Sequence, residues 1–122
     1  MVTRKKKIEQ TNKNTSFPKC EIFITYRFAE GKIYATCLYD RLKKDGYWVY
    51  LAPDNPDCAE TDFMFSCLDH AIDFLVVLPP HALDFGESGD DTFFQKQLEH
   101  AIQANLNIIP IELENFEWPD AK

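Results

Sequence analysis

The sequence predicts an α/β domain, a doubly wound parallel sheet with helices on both faces. Three observations predict it. Short apolar stretches alternate with amphipathic stretches of helical period from residue 20 to residue 113, in the order β, α, β, α, β, α, β. The run Phe74 to Leu78 is continuously apolar, the pattern of a strand buried on both faces. The connections are short, which favours right-handed crossovers and a parallel sheet. A chain of 122 residues, 45% hydrophobic and 27% charged, is one domain's worth of globular material and is no disordered tail.

Each element has its own signature. Residues 1–19 lack periodicity and read as a basic flexible arm ending at Pro18. The first strand is placed near 21–26 (EIFITY), rich in β-branched and aromatic residues. Phe28 to Lys32 reads as a loop containing Gly31. Tyr34, Cys37, Leu38 and Leu42 then form a helical stripe, with Lys43 and Lys44 suiting its C-terminal end and Gly46 its C′ position. The second strand falls near 47–51 (YWVYL), followed by a loop with two prolines, Pro53 to Thr61. Met64, Leu68, Ala71 and Ile72 are expected to face inward on the next helix. The third strand is near 74–78, ended by Pro79 and Pro80, and Gly86 to Asp91 is an acidic loop. Phe94, Leu98, Ala101 and Ile102 make the last stripe before a fourth strand near 107–113. In such a sheet the ligand site lies beyond the carboxyl ends of the strands. The segments 26–31, 52–61, 79–91 and 114–120 are therefore expected on one rim.

Charge and cysteine usage narrow the function. The net charge is −7, yet residues 1–19 carry Arg4, Lys5, Lys6, Lys7, Lys13 and Lys19 against Glu9, so the remaining body is −12. An acidic body argues against a nucleic-acid surface. No apolar run reaches the roughly 20 residues of a membrane span. Cys20, Cys37, Cys58 and Cys67 form no CxxC pair, and His70, His81 and His100 show no ligand spacing with them, so no metal is expected. With no export signal, a reducing, cytoplasmic setting is expected. The phosphate loop GxxxxGK[ST], the dinucleotide fingerprint GxGxxG and the nucleophile elbow GxSxG are all absent. A phospho-receiver domain shares this strand order, but it requires acidic residues where this chain has Thr25, Tyr26 and Arg27.

At residues 20–120 the chain resembles the Toll/interleukin-receptor (TIR) family, whose fold is a flavodoxin-like doubly wound sheet. Glu21–Arg27 (EIFITYR) is similar to the first-strand motif (D)-(V/I)-F-(I/L)-S-Y-R. Leu38–Tyr47 is similar to the family's first helix and following Gly. Phe74–Leu83 (FLVVLPPHAL) resembles the third-strand signature ending S-P-x-A-L. Leu98–Ile102 followed by Asn107–Ile111 matches the helix and fourth strand, and Phe116–Pro119 (FEWP) resembles the tail of the NAD+-cleaving members. Together these motifs make residues 20–122 the TIR domain. The family also has a fifth strand and a last helix, so the domain is expected to be truncated before them.

The resemblance implies an activity and a set of residues. Some TIR domains are adaptors. Others, among them bacterial antiphage effectors, plant immune receptors and an animal axon-degeneration enzyme, cleave the nicotinamide–ribose bond of NAD+ with a Glu in a W-x-x-x-E-(I/L) context. Cleavage builds oxocarbenium character on the ribose, which a carboxylate stabilises. In that register Gln97 stands at the Glu position and Phe93 at the Trp position. Gln hydrogen-bonds a hydroxyl but supplies no anion. Glu99, two residues on, lies about 200° round the helix and points away. A Gln there is either an engineered replacement or a natural pseudoenzyme's residue, and the enzyme-like surroundings favour the first. Arg27 takes the family's arginine place, while the second arginine is Phe28 here.

The implied substrate-binding residues are Tyr26, Arg27, Phe28, Phe93 and Trp118. Tyr26 either contacts substrate or packs, Phe93 either stacks on a ring of the substrate or joins the core beside Phe94, and Trp118 walls the site or meets a partner. Asp54, Asp57 and Glu60 lie in the loop that mediates assembly in this family. NAD+ is implied as substrate with no separate cofactor. The implied partners are further copies of the domain, assembled as an oligomer or filament, and a sensor domain such as a cyclic-dinucleotide-binding STING domain. The implied setting is cell-death signalling in innate immunity and antiviral defence. The alternative is a non-catalytic adaptor that signals through TIR–TIR contacts.

Overall fold

The computed structural model describes residues 20–54, 57–84 and 92–119. The basic arm at 1–19 and the acidic loop at 86–91 lie outside them. Four strands, β1 (Ile22–Tyr26), β2 (Val49–Leu51), β3 (Asp73–Leu78) and β4 (Asn107–Glu112), alternate with helices α1 (Phe28–Lys44), α2 (Cys58–His70) and α3 (Thr92–Gln103). The sheet order is β2-β1-β3-β4 and every pairing is parallel. Successive strand residues point to opposite faces, which divides the core in two. Phe23, Phe74, Val76 and Leu78 pack with Met64, Cys67 and Leu68 of α2 and Phe94 and Ala101 of α3. Ile22, Ile24, Leu75 and Val77 pack under Ala35, Leu38, Tyr39 and Leu42 of α1. This is a doubly wound, flavodoxin-like arrangement, the one that the resemblance to TIR domains implies. No described helix is long and apolar enough to cross a membrane.

Several expectations are corrected. Residues 28–32 are not a loop: α1 begins at Phe28, directly after an extended Arg27. The reversal is taken up at Phe28 itself, whose φ is 67°, a left-handed conformation that costs a non-glycine residue energy. Gly31 is a contact glycine rather than a loop glycine, because a Cβ there would lie 3.3 Å from both Pro79 Cδ and Tyr26 Cβ. Small residues Gly31 and Ala35 bring α1 close to the sheet, so its inward face runs 31, 35, 38, 39 and 42. Tyr34 and Cys37, expected inward, are exposed.

Ile72 is exposed because α2 ends at His70 and its extended cap Ala71 leads straight into β3. Ile102 is 62% exposed, since the buried stripe of α3 runs through Phe94, Gln97 and Ala101 instead. Strand β2 starts at Val49 because Tyr47 N–H donates to Leu42 carbonyl (3.1 Å) in closing α1, with Gly46 at φ 96° as expected of that position.

Candidate functional site

A cavity of about 440 Å³ opens beyond the carboxyl end of β1. There the chain order reverses between β1 and β3, which is where this class of sheet binds ligands. Strand β1 and the start of α1 supply Thr25, Tyr26, Arg27, Phe28, Ala29 and Lys32. The segment after β2 supplies Ala52, Pro53 and Asp54, and α3 supplies Phe93, Phe94 and Gln97.

Gln97 forms the floor. It is 2% exposed. Thr25 Oγ1 donates to Gln97 Oε1, and Gln97 Nε2 reaches Met64 Sδ at 3.4 Å. Both partners follow from the fold. Strand alternation aims Thr25 to the same face as Phe23, toward α3, and Met64 is the central buried residue of α2. Glu99 is exposed on the outer side of α3, as expected.

The rim is charged. Tyr26 Oη lies 2.6 Å from Asp54 Oδ1 and 3.0 Å from the Ala52 carbonyl. Lys32 Nζ pairs with Asp54 Oδ2. The Lys32 ammonium, then the Tyr26 hydroxyl, hold the Asp54 carboxyl below the usual carboxylate range. Burial, then the hydrogen bond to Asp54, pushes the Tyr26 phenol well above its ordinary value.

Arg27 is 8% exposed. Its Nη1 donates to the carbonyls of Ala82 (2.8 Å) and Asp84 (3.0 Å), with His81 carbonyl at 3.4 Å. Its guanidinium also lies 4.7 Å from the Phe28 ring centroid. It thereby anchors the segment after β3. Phe93 lines the cavity and meets Phe65 edge-on behind it, with centroids 6.5 Å apart.

Of the residues singled out from the sequence, Tyr26, Arg27, Phe28, Asp54, Phe93 and Gln97 are brought to one cavity. Trp118 is not among its lining residues: its Nε1 donates to Glu112 Oε2 at 2.8 Å and its ring stands edge-on to Phe116. Asp57 and Glu60 cap α2, where Asp57 Oδ1 accepts from Glu60 N–H (2.8 Å) and Glu60 Oε1 from Asp57 N–H (3.1 Å). Sequence reasoning missed Thr25 and Lys32. Thr25 was signalled by its place at the end of β1, and Lys32 by its i+4 spacing from Phe28. Among the described residues no group of three His, Cys, Asp or Glu is placed to hold a metal ion.

No protein-family model matches the chain. Among curated proteins it is similar to the NAD(+) hydrolase sarm1 of Drosophila melanogaster, 27% identical over 105 residues, 84% of this chain and 8% of that protein. It is 27% identical over 103 residues to the NAD(+) hydrolase SARM1 of Danio rerio, 82% of this chain and 14% of that one. It is 29% identical over 102 residues to the NAD(+) hydrolase tir-1 of Caenorhabditis elegans, 81% of this chain and 10% of that one. The chain thus spans a small part of these relatives, and its likeness to these NAD(+) hydrolases extends over about four-fifths of its own length.

Proposed function

We propose that this TIR-type chain is an NAD+ nucleosidase domain, a cytoplasmic immune or cell-death effector that acts on oligomerisation, and that Gln97 impairs its catalysis. NAD+ is its substrate and no cofactor takes part. Self-association through TIR–TIR contacts, with a linked sensor such as a STING domain, completes and triggers the site. The observation that carries this reading is position 97: a single buried polar side chain from α3 at the floor of a cavity at the sheet's switch point. A carboxylate there faces the ribose and offsets the cation that forms as nicotinamide leaves. An amide fills the same space, accepts from Thr25 and supplies no charge. Loss of such an electrostatic contribution reduces rate by about 10²–10³-fold.

The test is nicotinamide release from NAD+ at high protein concentration by this chain and by Gln97→Glu. Release by the Glu form alone marks the chain as a disarmed enzyme. Silence from both without NAD+ binding overturns the reading in favour of a non-catalytic adaptor, which the neutral amide of Gln97 otherwise favours. Silence with binding moves the missing component to the assembly.

A further inference from the structure

We propose that Lys32 is the phosphate-recognising, specificity-determining residue of this cavity, and that Asp54 holds it at the rim until a substrate phosphate displaces the carboxylate. This rests on reading the cavity as a dinucleotide site. A dinucleotide brings a pyrophosphate, and the body that must receive it is strongly acidic. A local cation is therefore required. Two side chains lining the cavity are cationic, Arg27 and Lys32. Arg27 is buried, and its Nη1 is committed to the carbonyls that hold residues 82–84. Turning it to a ligand would leave the buried Ala82 carbonyl short of a donor and release the segment that the Asp84 carbonyl ties down.

Lys32 differs in each respect. Its side chain is 48% exposed, it stands one turn into α1 on a flexible stem, and its partner Asp54 is 49% exposed. An ion pair so well solvated is weak. A pyrophosphate offers Lys32 more negative charge than one carboxylate does, so the exchange runs toward the ligand. Asp54 is not orphaned by it, because Tyr26 Oη remains 2.6 Å away.

The experiment is calorimetric titration of NAD+, ADP and nicotinamide riboside, which lacks the pyrophosphate, into the full chain, Lys32→Met, Lys32→Arg and Asp54→Asn. Lys32→Met is expected to weaken NAD+ and ADP about 10-fold or more and to leave nicotinamide riboside unchanged. Lys32→Arg is expected to retain binding. Asp54→Asn is expected to tighten NAD+ and ADP several-fold, because it frees the ammonium and removes a like charge. A merely structural Lys32–Asp54 pair would instead weaken all three ligands in both variants, which overturns the proposal. Unchanged ADP affinity in Lys32→Met overturns it too, as does absence of NAD+ and ADP binding by the parent chain. Failure of the nucleosidase reading is separate: ADP then binds with its dependence on Lys32 intact, while NAD+ does not bind and Gln97→Glu releases no nicotinamide.

Discussion

Replacing Gln97 by Glu tests the geometry of the cavity floor through stability alone. Gln97 is 2% exposed, accepts from Thr25 Oγ1 and directs Nε2 at Met64 sulfur, 3.4 Å away. A carboxylate keeps the first contact and loses the second, because the thioether has no proton to give an oxygen anion. One donor does not offset burial, so the carboxyl is pushed upward. Ionising that buried carboxyl with a single donor costs the folded variant roughly 2–3 kcal/mol. The sign follows from linkage. With the folded value raised, the variant keeps its full stability below about pH 4, loses it as pH climbs toward the folded value, and carries the whole deficit above about pH 7. For a domain of this size that deficit lowers Tm by roughly 10–15 °C. Thermal melts of parent and variant followed by circular dichroism from pH 4 to 8 read the difference directly, and the parent's own pH dependence cancels. A Tm difference that is equal at pH 4 and pH 8 would refute the desolvation of position 97 and with it the placement of Gln97 at a dry floor.

Three further outcomes are expected. Gly31→Ala places a Cβ 3.3 Å from a proline ring carbon and from a strand Cβ, both held by stiff backbone, so overpacking of about 1–3 kcal/mol is expected to outweigh the roughly 1 kcal/mol gain in helix propensity. Its urea midpoint falls; a rise would show that α1 stands farther from the sheet. Asp57→Ala removes the side-chain acceptor that caps Glu60 N–H in the first turn of α2 and costs about 1 kcal/mol, seen as faster amide exchange at Glu60. Tyr50 is pushed up to about 12 by burial, then by Cys67 and Glu60. Its neutral form is the one the fold favours, so the stability it contributes is present below about pH 10 and is lost as pH rises through about 12. Spectrophotometric titration shows a late phenol ionisation that Tyr50→Phe removes, and a profile identical in that variant would contradict the burial.

What was legible in the sequence divides by physical cause. Strands β1 and β3 were placed to within a residue because their apolar runs are bounded by turn formers and charge. The stripe of α1 was misphased because Tyr34 and Cys37 share a helical period with Leu38 and Leu42, and periodicity alone does not choose between two faces that have members in common. The choice is made by Gly31 and Ala35, whose lack of bulk admits the sheet, a tertiary reason invisible to a pattern of apolar residues. Tyr47 and Trp48 read as strand by composition, yet closure of α1 claims Tyr47 N–H. In the site, Gln97 was found through a motif register, although it also sits three residues after Phe94 on the buried stripe. Lys32 escaped notice because a lysine in a helix's first turns is ordinarily a solvated surface residue, and its significance depends on the Asp54 contact across 22 positions of chain.

Charge is distributed differently at the rim and at the floor of the cavity. At the rim, Lys32 and Asp54 keep about half their exposure, so their charges cost the fold little and exchange partners readily. At the floor, Thr25, Met64 and Gln97 are sealed, and an anion at position 97 would have the Thr25 hydroxyl as its hydrogen-bond donor. On the proposed nucleosidase reading, a Glu at position 97 would be reactive for the reason that it is destabilising: its charge is poorly solvated until a developing positive charge on the ligand compensates it. An amide removes that tension, since its oxygen accepts from Thr25 and its NH₂ meets the polarisable sulfur without a desolvated charge. The neutral floor of this chain is thus the better-folded solution, and a carboxylate there is worth its cost only to a domain that performs the cleavage.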